Sequence, residues 1–563
     1  MSPRGWMLAS ALFVLGVGAA AAEDPPEEAE AVPSAAAAPA ADGAESAERT
    51  ETTDAAEPTG TEEAPSEAQT PPPSSTPQTR DLAMAEACKE ALLGAGLRKG
   101  GVGVRLLRVS DGAVLCDVAS DVPRLPASTT KVVTAAVALD RLGPDYRFVT
   151  TIVAAPGGAL RGDRWVGDLW VVPSGDPTLD TARWRVLFDG LRRQGIAHIE
   201  GRVILAAGLH ADPPWIPHWP TDDFRRNESY YATLGPFPTN GLRLSVTLRP
   251  GATVGQPAVV ELTPPQDGFV EIQNRAVTSA SAWTRRGVVR RTVSENGWLL
   301  EVSGYIGLEA RPQDLGTWMV EQPDVSAAAL VRSMLREVGV AVQEVVVSAE
   351  RPPSGLTLSS TASEPLWTIL QPMNKRSSNF LAEMVFRAIA VNANPEGWGA
   401  KAEDAARAVA DHFARLGIPE AESWVVNGSG LTREHKLSPR ALTSVVLEAL
   451  NDPRYGDEFA ASLSVAGRDG TLARRMTSVE DGQVRGKTGT LTGVVGLCGT
   501  FVGSDDEVYV FAALSNDGPS SGTVRGTMDT LVTRWIAGTR LPVALAEVPA
   551  APSDTEAAEE DPP

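Results

Sequence analysis

The chain has 563 residues, a formal net charge of −21 and 43% hydrophobic residues, a length that suits roughly two to four domains. Nothing in so acidic a chain suggests nucleic-acid binding, which wants a basic patch. Three cysteines and five scattered histidines, with no metal-ligand spacing, argue against a zinc or haem protein and against a metallohydrolase. No cofactor is expected.

Residues 1–22 carry Arg4, an apolar run from Trp6 to Val17 and then Ala19 to Ala22. This order of basic, apolar and small residues reads as a secretory signal peptide. The run is short for a membrane span, and no cysteine follows it to take a lipid. An exported, periplasmic chain is expected, without a transmembrane domain beyond the signal segment. Residues 23–79 are rich in Ala, Pro, Glu, Ser and Thr, with 14 acidic residues and one arginine. Such a stretch buries too little apolar surface to order itself, so it reads as a disordered linker. An acidic tail over 544–563 adds −6. These two segments and the single signal arginine leave only −3 for the rest, so the acidity belongs to the tails and not to a binding site.

A helix is expected from Arg80 to Leu97. Two β-rich runs, Val102–Val109 and Ala113–Val118, flank Asp111-Gly112 and make a hairpin. Ala127-Ser128-Thr129-Thr130-Lys131 then opens an apolar run that Gly143-Pro144 closes, which predicts a helix with Ser128 in its first turn. Short β-like runs punctuated by Pro and Gly follow: Val166–Val172, Ile199–Leu205, Leu242–Leu248 and Leu299–Tyr305. They predict a β-rich insertion over 151–347. It includes Gly175-Asp176-Pro177-Thr178-Leu179, a turn that presents one carboxylate. Helical patterns return at 364–374, 378–386, 399–416 and 438–450. Three strands, at 483–490, 494–501 and 507–514, and a closing helix at 523–537 end the folded part. The early hairpin and late strands suit one five-stranded antiparallel sheet covered by helices, split by the insertion: a catalytic domain over 80–150 and 348–543. Cys88 and Cys116 either bridge that helix to the hairpin or remain, with Cys498, buried thiols.

Three short motifs carry chemistry: Ser128-x-x-Lys131, Ser377-Ser378-Asn379 and Lys487-Thr488-Gly489. A lone Ser-x-x-Lys arises by chance in many chains. Here Ser128 and Lys131 share one helix face at the positive end of the helix dipole. That position favours a serine alkoxide and disfavours a charged lysine. The chain has only seven lysines among its 50 basic residues, and two of them fall in these motifs. Arginine cannot give up its proton, so a lysine at 131 is chemically intelligible as a base.

The three motifs in this order are those of penicillin-binding proteins and serine β-lactamases. The sequence resembles the D-alanyl-D-alanine carboxypeptidase/endopeptidases of the type-4, low-molecular-mass class C penicillin-binding proteins. The resemblance covers roughly 82–542 and extends to Gly175–Leu179, Asn427-Gly-Ser-Gly-Leu431, Val465–Leu472 and Lys487–Val494. The spacing of about 250 residues between the first two motifs also suits this group, whose members carry inserted domains there. There are three departures: Ser378 stands where the family usually has Asp, Asn427 stands where Asp is common, and the long acidic linker is not a general family feature.

The resemblance implies the α/β (α+β) transpeptidase-like fold of these proteins and acyl transfer on peptidoglycan stem peptides, with β-lactam antibiotics as covalent inhibitors. Ser128 would attack the penultimate D-Ala carbonyl and a neutral Lys131 would take its proton. Ser377 would relay a proton to the leaving amine, tuned by Lys487, and Asn379 would bind substrate and hold Lys131. Lys487 and Thr488 would engage the terminal carboxylate beside Gly489, with the Ser128 and Thr490 amides as oxyanion hole. Asp176 would either reach a cationic stem-peptide side chain or anchor an Asp-Pro turn. The alternatives are a serine β-lactamase and a catalytically silent wall-binding scaffold on the same fold.

Overall fold

The computed structural model describes residues 81–82, 84–88, 101–216, 219, 230–518 and 520–539. The signal-peptide, linker and tail readings, and much of the Arg80–Leu97 helix, lie outside them. The chain ends of the catalytic region meet in one antiparallel sheet. Its strands are β1 (Val102–Arg108), β2 (Val114–Val118), β3 (Ser464–Val465), β4 (Val484–Leu491), β5 (Val494–Val502) and β6 (Val508–Asn516), in the order β3-β4-β5-β6-β1-β2. The expected five strands become six because the two-residue β3 adds to the edge of β4 at Arg485 and Gly486.

Alternation sets the two faces of this sheet. In β6, Val510, Ala512 and Leu514 face one core while Tyr509, Phe511 and Ala513 face the other. The first core is filled by helices α1 (Thr130–Leu142), α2 (Leu366–Lys375), α3 (Asn379–Ala393), α4 (Ala402–Arg415) and α5 (Pro439–Asn451). The second is closed by α6 (Ser521–Gly538), through Met528, Leu531, Val532 and Trp535. Helix α1 is buried from Thr130 to Leu139, including all its apolar residues in that span, so it is the central helix of the fold. Gly143, at φ 83°, stops it. A Cys88–Cys116 disulfide ties the N-terminal helical residues to β2, and Cys498 is a buried free thiol.

The insertion is β-rich, as expected, but it also holds two helices. Thr181–Arg193 and Pro323–Glu337 pack on a seven-stranded sheet through Trp184, Leu187, Phe188, Leu191, Leu330, Val331 and Met334. The first of these helices repeats apolar residues at i, i+3, i+4 and i+7 behind an Asp180 N-cap, a helical period within a stretch read as strands. The strand Val149–Ala154 pairs antiparallel with Thr357–Ala362, so the chain enters and leaves this sheet side by side. The sheet thus runs past residue 347 to Ala362. Two smaller sheets share a second core of Leu244, Val246, Phe269, Trp298, Leu300 and Val302.

Candidate active site

Ser128 sits in a single 3-10 turn, Ala127–Thr129, that leads into α1. Lys131 follows one turn later, fully buried. Its Nζ lies 2.9 Å from Ser128 Oγ, 2.7 Å from Asn379 Oδ1 and 2.7 Å from the Ser429 carbonyl oxygen. Burial pushes the Lys131 ammonium well below its ordinary range; the nearby Lys487 pushes the same way and Glu383 opposes it. A neutral amine has two N–H donors and one lone pair. Two acceptors and one hydroxyl surround Lys131 Nζ, so when the amine is uncharged its donors go to Asn379 and Ser429 and its lone pair is left for Ser128.

The second motif joins two helices. Ser377 takes φ 55°, a left-handed link between α2 and α3. Ser378 is the N-cap of α3, its hydroxyl accepting from the Leu381 amide. Serine and aspartate cap helices about equally well, which explains why this position departs from the usual Asp. Asn379 opens α3 and spans the cleft, its Nδ2 donating to the Tyr230 carbonyl at 2.9 Å. Lys375 pairs with Asp469 at 2.7 Å and pins this junction to the 464–472 loop.

The third motif lies on β4. Lys487 is fully buried, and its Nζ donates to Ser377 Oγ at 2.9 Å and to the Thr488 carbonyl at 2.8 Å. Burial lowers its pKa to about 7. Cys498, behind it on β5, has its thiol pushed up to about 12 by burial, so it adds no charge at neutral pH. Thr488 Oγ1 donates to Thr471 Oγ1 at 2.8 Å. A Cβ on Gly489 would lie 2.7 Å from the Pro126 carbonyl oxygen and 3.1 Å from the Ser128 amide nitrogen, so only glycine lets β4 run against the serine turn. Because β3 covers β4 only at Arg485 and Gly486, the edge from Lys487 to Thr490 is left open beside Ser128.

Ser128, Lys131, Ser377, Asn379, Lys487, Thr488, Gly489 and Thr490 therefore gather around one open edge of the sheet. Asp176 is differently placed. It is 2% exposed, and its carboxylate accepts from the Thr178 amide and hydroxyl and from Arg183 Nη1 at 3.0 Å. Of its two expected roles, these contacts fit the turn anchor.

Two residues escaped the sequence reading. Glu383, buried on α3, accepts from the Gly428 and Ser429 amides at 3.1 and 2.9 Å and so orients the Ser429 carbonyl that faces Lys131. Its signal is a lone carboxylate in an apolar helix, four residues after Asn379 and on the same face. His435 lies between the amides of Val426 and Asn427, both 3.2 Å from Nε2, and the Thr130 hydroxyl, 3.2 Å from Nδ1. With Nε2 the acceptor of two amides, Nδ1 is the donor. Asn427 keeps the acceptor an aspartate would offer, its Oδ1 taking the Gly430 amide at 3.0 Å, while its Nδ2 is buried with no partner. Among the described residues no group of three or more metal-ligating side chains occurs, and no helix is long and apolar enough to cross a membrane.

A serine whose hydroxyl meets a fully buried lysine, beside a second lysine–serine pair and an open strand edge, defines a penicillin-recognising serine hydrolase. The D-Ala-D-Ala carboxypeptidase 3 (S13) family matches residues 85–535. The D-alanyl-D-alanine carboxypeptidase of an Actinomadura species is 31% identical over 433 residues, 73% of this chain and 76% of its own. The D-alanyl-D-alanine carboxypeptidase DacB of Haemophilus influenzae is 25% identical over 436 residues, 75% and 86% of the two chains. The crystal structure of penicillin binding protein 4 from Haemophilus influenzae shares the fold, with a TM-score of 0.64 at 23% identity over 80% of this chain and 99% of that one. The chain belongs to the D-Ala-D-Ala carboxypeptidase S13 family and is a serine peptidase.

Proposed function

We propose that the chain cleaves the D-Ala–D-Ala bond of peptidoglycan stem peptides through an acyl-enzyme on Ser128. The observation that carries this is the environment of Lys131: Asn379 Oδ1 and the Ser429 carbonyl hold two of its N–H groups, and its Nζ lies 2.9 Å from Ser128 Oγ. Lys131 takes the hydroxyl proton as Ser128 attacks the penultimate D-Ala carbonyl. The developing oxyanion lies between the amides of Ser128 and Thr490, a role that the open edge of β4 supports. Ser377, hydrogen-bonded to Lys487, delivers a proton to the leaving amine. Thr488 and Thr490 present hydroxyls to the substrate carboxylate, and Asn379 holds the substrate amide. Water resolves the acyl-enzyme. When the attacked bond is a cross-link to a second stem peptide, the same steps make the enzyme an endopeptidase.

A β-lactam ring acylates the same serine, and the Haemophilus protein has been crystallised with a β-lactam. The leader, the periplasmic setting and the oxidised Cys88–Cys116 pair form one consistent reading, since disulfides persist in exported proteins. Labelling with a fluorescent penicillin tests the proposal. A stable label that Ser128→Ala abolishes supports it; rapid turnover of the drug points to a β-lactamase, and no label to a silent scaffold. Digestion of purified muropeptides then separates loss of terminal D-Ala from conversion of dimers to monomers.

A further inference from the structure

The leaving group of a D-Ala–D-Ala bond carries a carboxylate on the carbon next to the scissile nitrogen. A carboxylate entering the site wants a cation, and the two lysines there are poor ones. Lys131 is fully buried, which disfavours its charged form and leaves it no room for a substrate carboxylate, and Lys487, near 7, is only part-charged at neutral pH. A permanent charge must come from arginine, which does not titrate. Arg433 donates to the Thr492 carbonyl at 2.8 Å, at the turn between β4 and β5. Arg525, on the second turn of α6, is the other candidate. Its Nη2 lies 3.5 Å from the hydroxyl of Thr490, an exposed residue on the open edge of β4. Among the described residues no carboxylate pairs with Arg525. Asp529, one helical turn further on, is held by Arg475 at 2.7 Å.

We infer that Arg525 is a substrate-binding residue that, with Thr490, reads the carboxylate adjacent to the leaving amine. The inference rests on the acyl-transfer reading above and adds a specificity element to it. The α6 helix brings the guanidinium to the Thr490 hydroxyl from the side opposite the buried lysines' core, so a carboxylate there receives a charge-assisted hydrogen bond as well as the threonine hydroxyl. Two substrate classes share this feature: a stem peptide ending in free D-alanine, and a cross-link whose acceptor amine sits beside a free carboxylate. An amide in place of that carboxylate keeps the bond to be cut and loses the cation's partner.

The test compares Arg525→Gln and Arg525→Lys with wild type on an N-acylated tripeptide ending in D-Ala–D-Ala and on its C-terminal carboxamide. Arg525→Gln is expected to lower kcat/KM on the acid about tenfold, chiefly through KM, with the carboxamide rate unchanged and Arg525→Lys intermediate. Acylation by benzylpenicillin and by its methyl ester repeats the contrast without needing peptide turnover. A wild type acylated by penicillin but inert on both peptides therefore overturns the peptidase reading, while the ester comparison still decides the role of Arg525. Equal losses on acid and amide, or on penicillin and its ester, overturn the inference, as does an Arg525→Gln variant with no loss at all. The half-buried position on the helix surface keeps the fold intact, which an unchanged melting curve verifies.

Discussion

Glu383 accepts the Ser429 amide at 2.9 Å and thereby turns the Ser429 carbonyl toward the Lys131 amine, 2.7 Å away. Helix α3 thus touches the base twice: directly through Asn379, and through Glu383 by way of the 427–430 loop. Burial pushes the Glu383 carboxyl up, and the two amides aimed at it favour its charged form. In Glu383→Gln one carboxamide oxygen cannot satisfy both amides, and its NH2 faces a donor. The loop should rotate and the Ser429 carbonyl should leave Lys131. Penicillin acylation is expected to slow by about tenfold or more. Loss of the negative charge removes an influence that raises the Lys131 pKa, so the acid limb of the acylation profile should move to lower pH. Stopped-flow acylation across pH checks both. A slower reaction with an unmoved acid limb would mean that Glu383 acts through packing alone.

Lys131 supplies the sharpest single substitution. An arginine there keeps hydrogen-bond donors and carries a fixed positive charge, but offers no lone pair at any accessible pH. Lys131→Arg is expected to lose about 10²–10⁴-fold in acylation, the usual worth of a general base. Fluorescent penicillin labelling over hours measures the residual rate. Near-normal labelling would remove Lys131 from the role of base.

Lys487 links the site to stability. Its folded pKa, about 7, lies below the ordinary 10.5 because burial penalises the ammonium. Between those values the unfolded chain binds more protons than the folded one, so raising pH across that window favours folding. Below pH 7 both states hold the proton and the cost of burying the charge is complete. Comparing wild type with Lys487→Met cancels the other titrating groups. Wild type should gain on the variant by up to about 1.4 kcal/mol per pH unit between pH 7 and 10, read from urea midpoints. A constant difference would show that Lys487 is charged throughout.

The motifs were legible because their chemistry needs particular residue types in a fixed order. Ser128, Lys131, Ser377, Asn379 and Lys487 come together in the cleft from three separated segments, which no local pattern could show but which the resemblance implies. Glu383 stayed hidden because it serves a loop 45 residues away, and Phe380 to Val391 around it reads as an ordinary apolar helix. His435 stayed hidden for the same reason: its partners are backbone amides and a threonine, which no spacing rule marks. The two helices of the insertion were outweighed by the many β-like runs around them, although Trp184, Leu187, Phe188 and Leu191 carry a helical period. The sixth strand, Ser464-Val465, is too short for any periodicity to register.

Asp176 is the site residue whose two expected roles separate most cleanly. The turn reading holds that its carboxylate is occupied by Thr178 and Arg183 and that it positions the loop ahead of the helix Thr181–Arg193. Burial pushes its pKa up, with Thr178 and Arg183 pulling the other way. Asp176→Asn keeps the oxygen for the Thr178 amide and sets an NH2 against the Arg183 guanidinium. The turn reading predicts a cost of about 2 kcal/mol and a melting point lowered by several degrees. It predicts unchanged acylation by penicillin, and equal turnover of peptides with and without a cationic side chain. The substrate reading predicts the reverse: an unmoved melting point, and a loss confined to peptides bearing the cation. Thermal melts and paired peptide kinetics on one variant decide between them, because a carboxylate held by its own turn cannot be removed without loosening that turn, while a carboxylate held for substrate can.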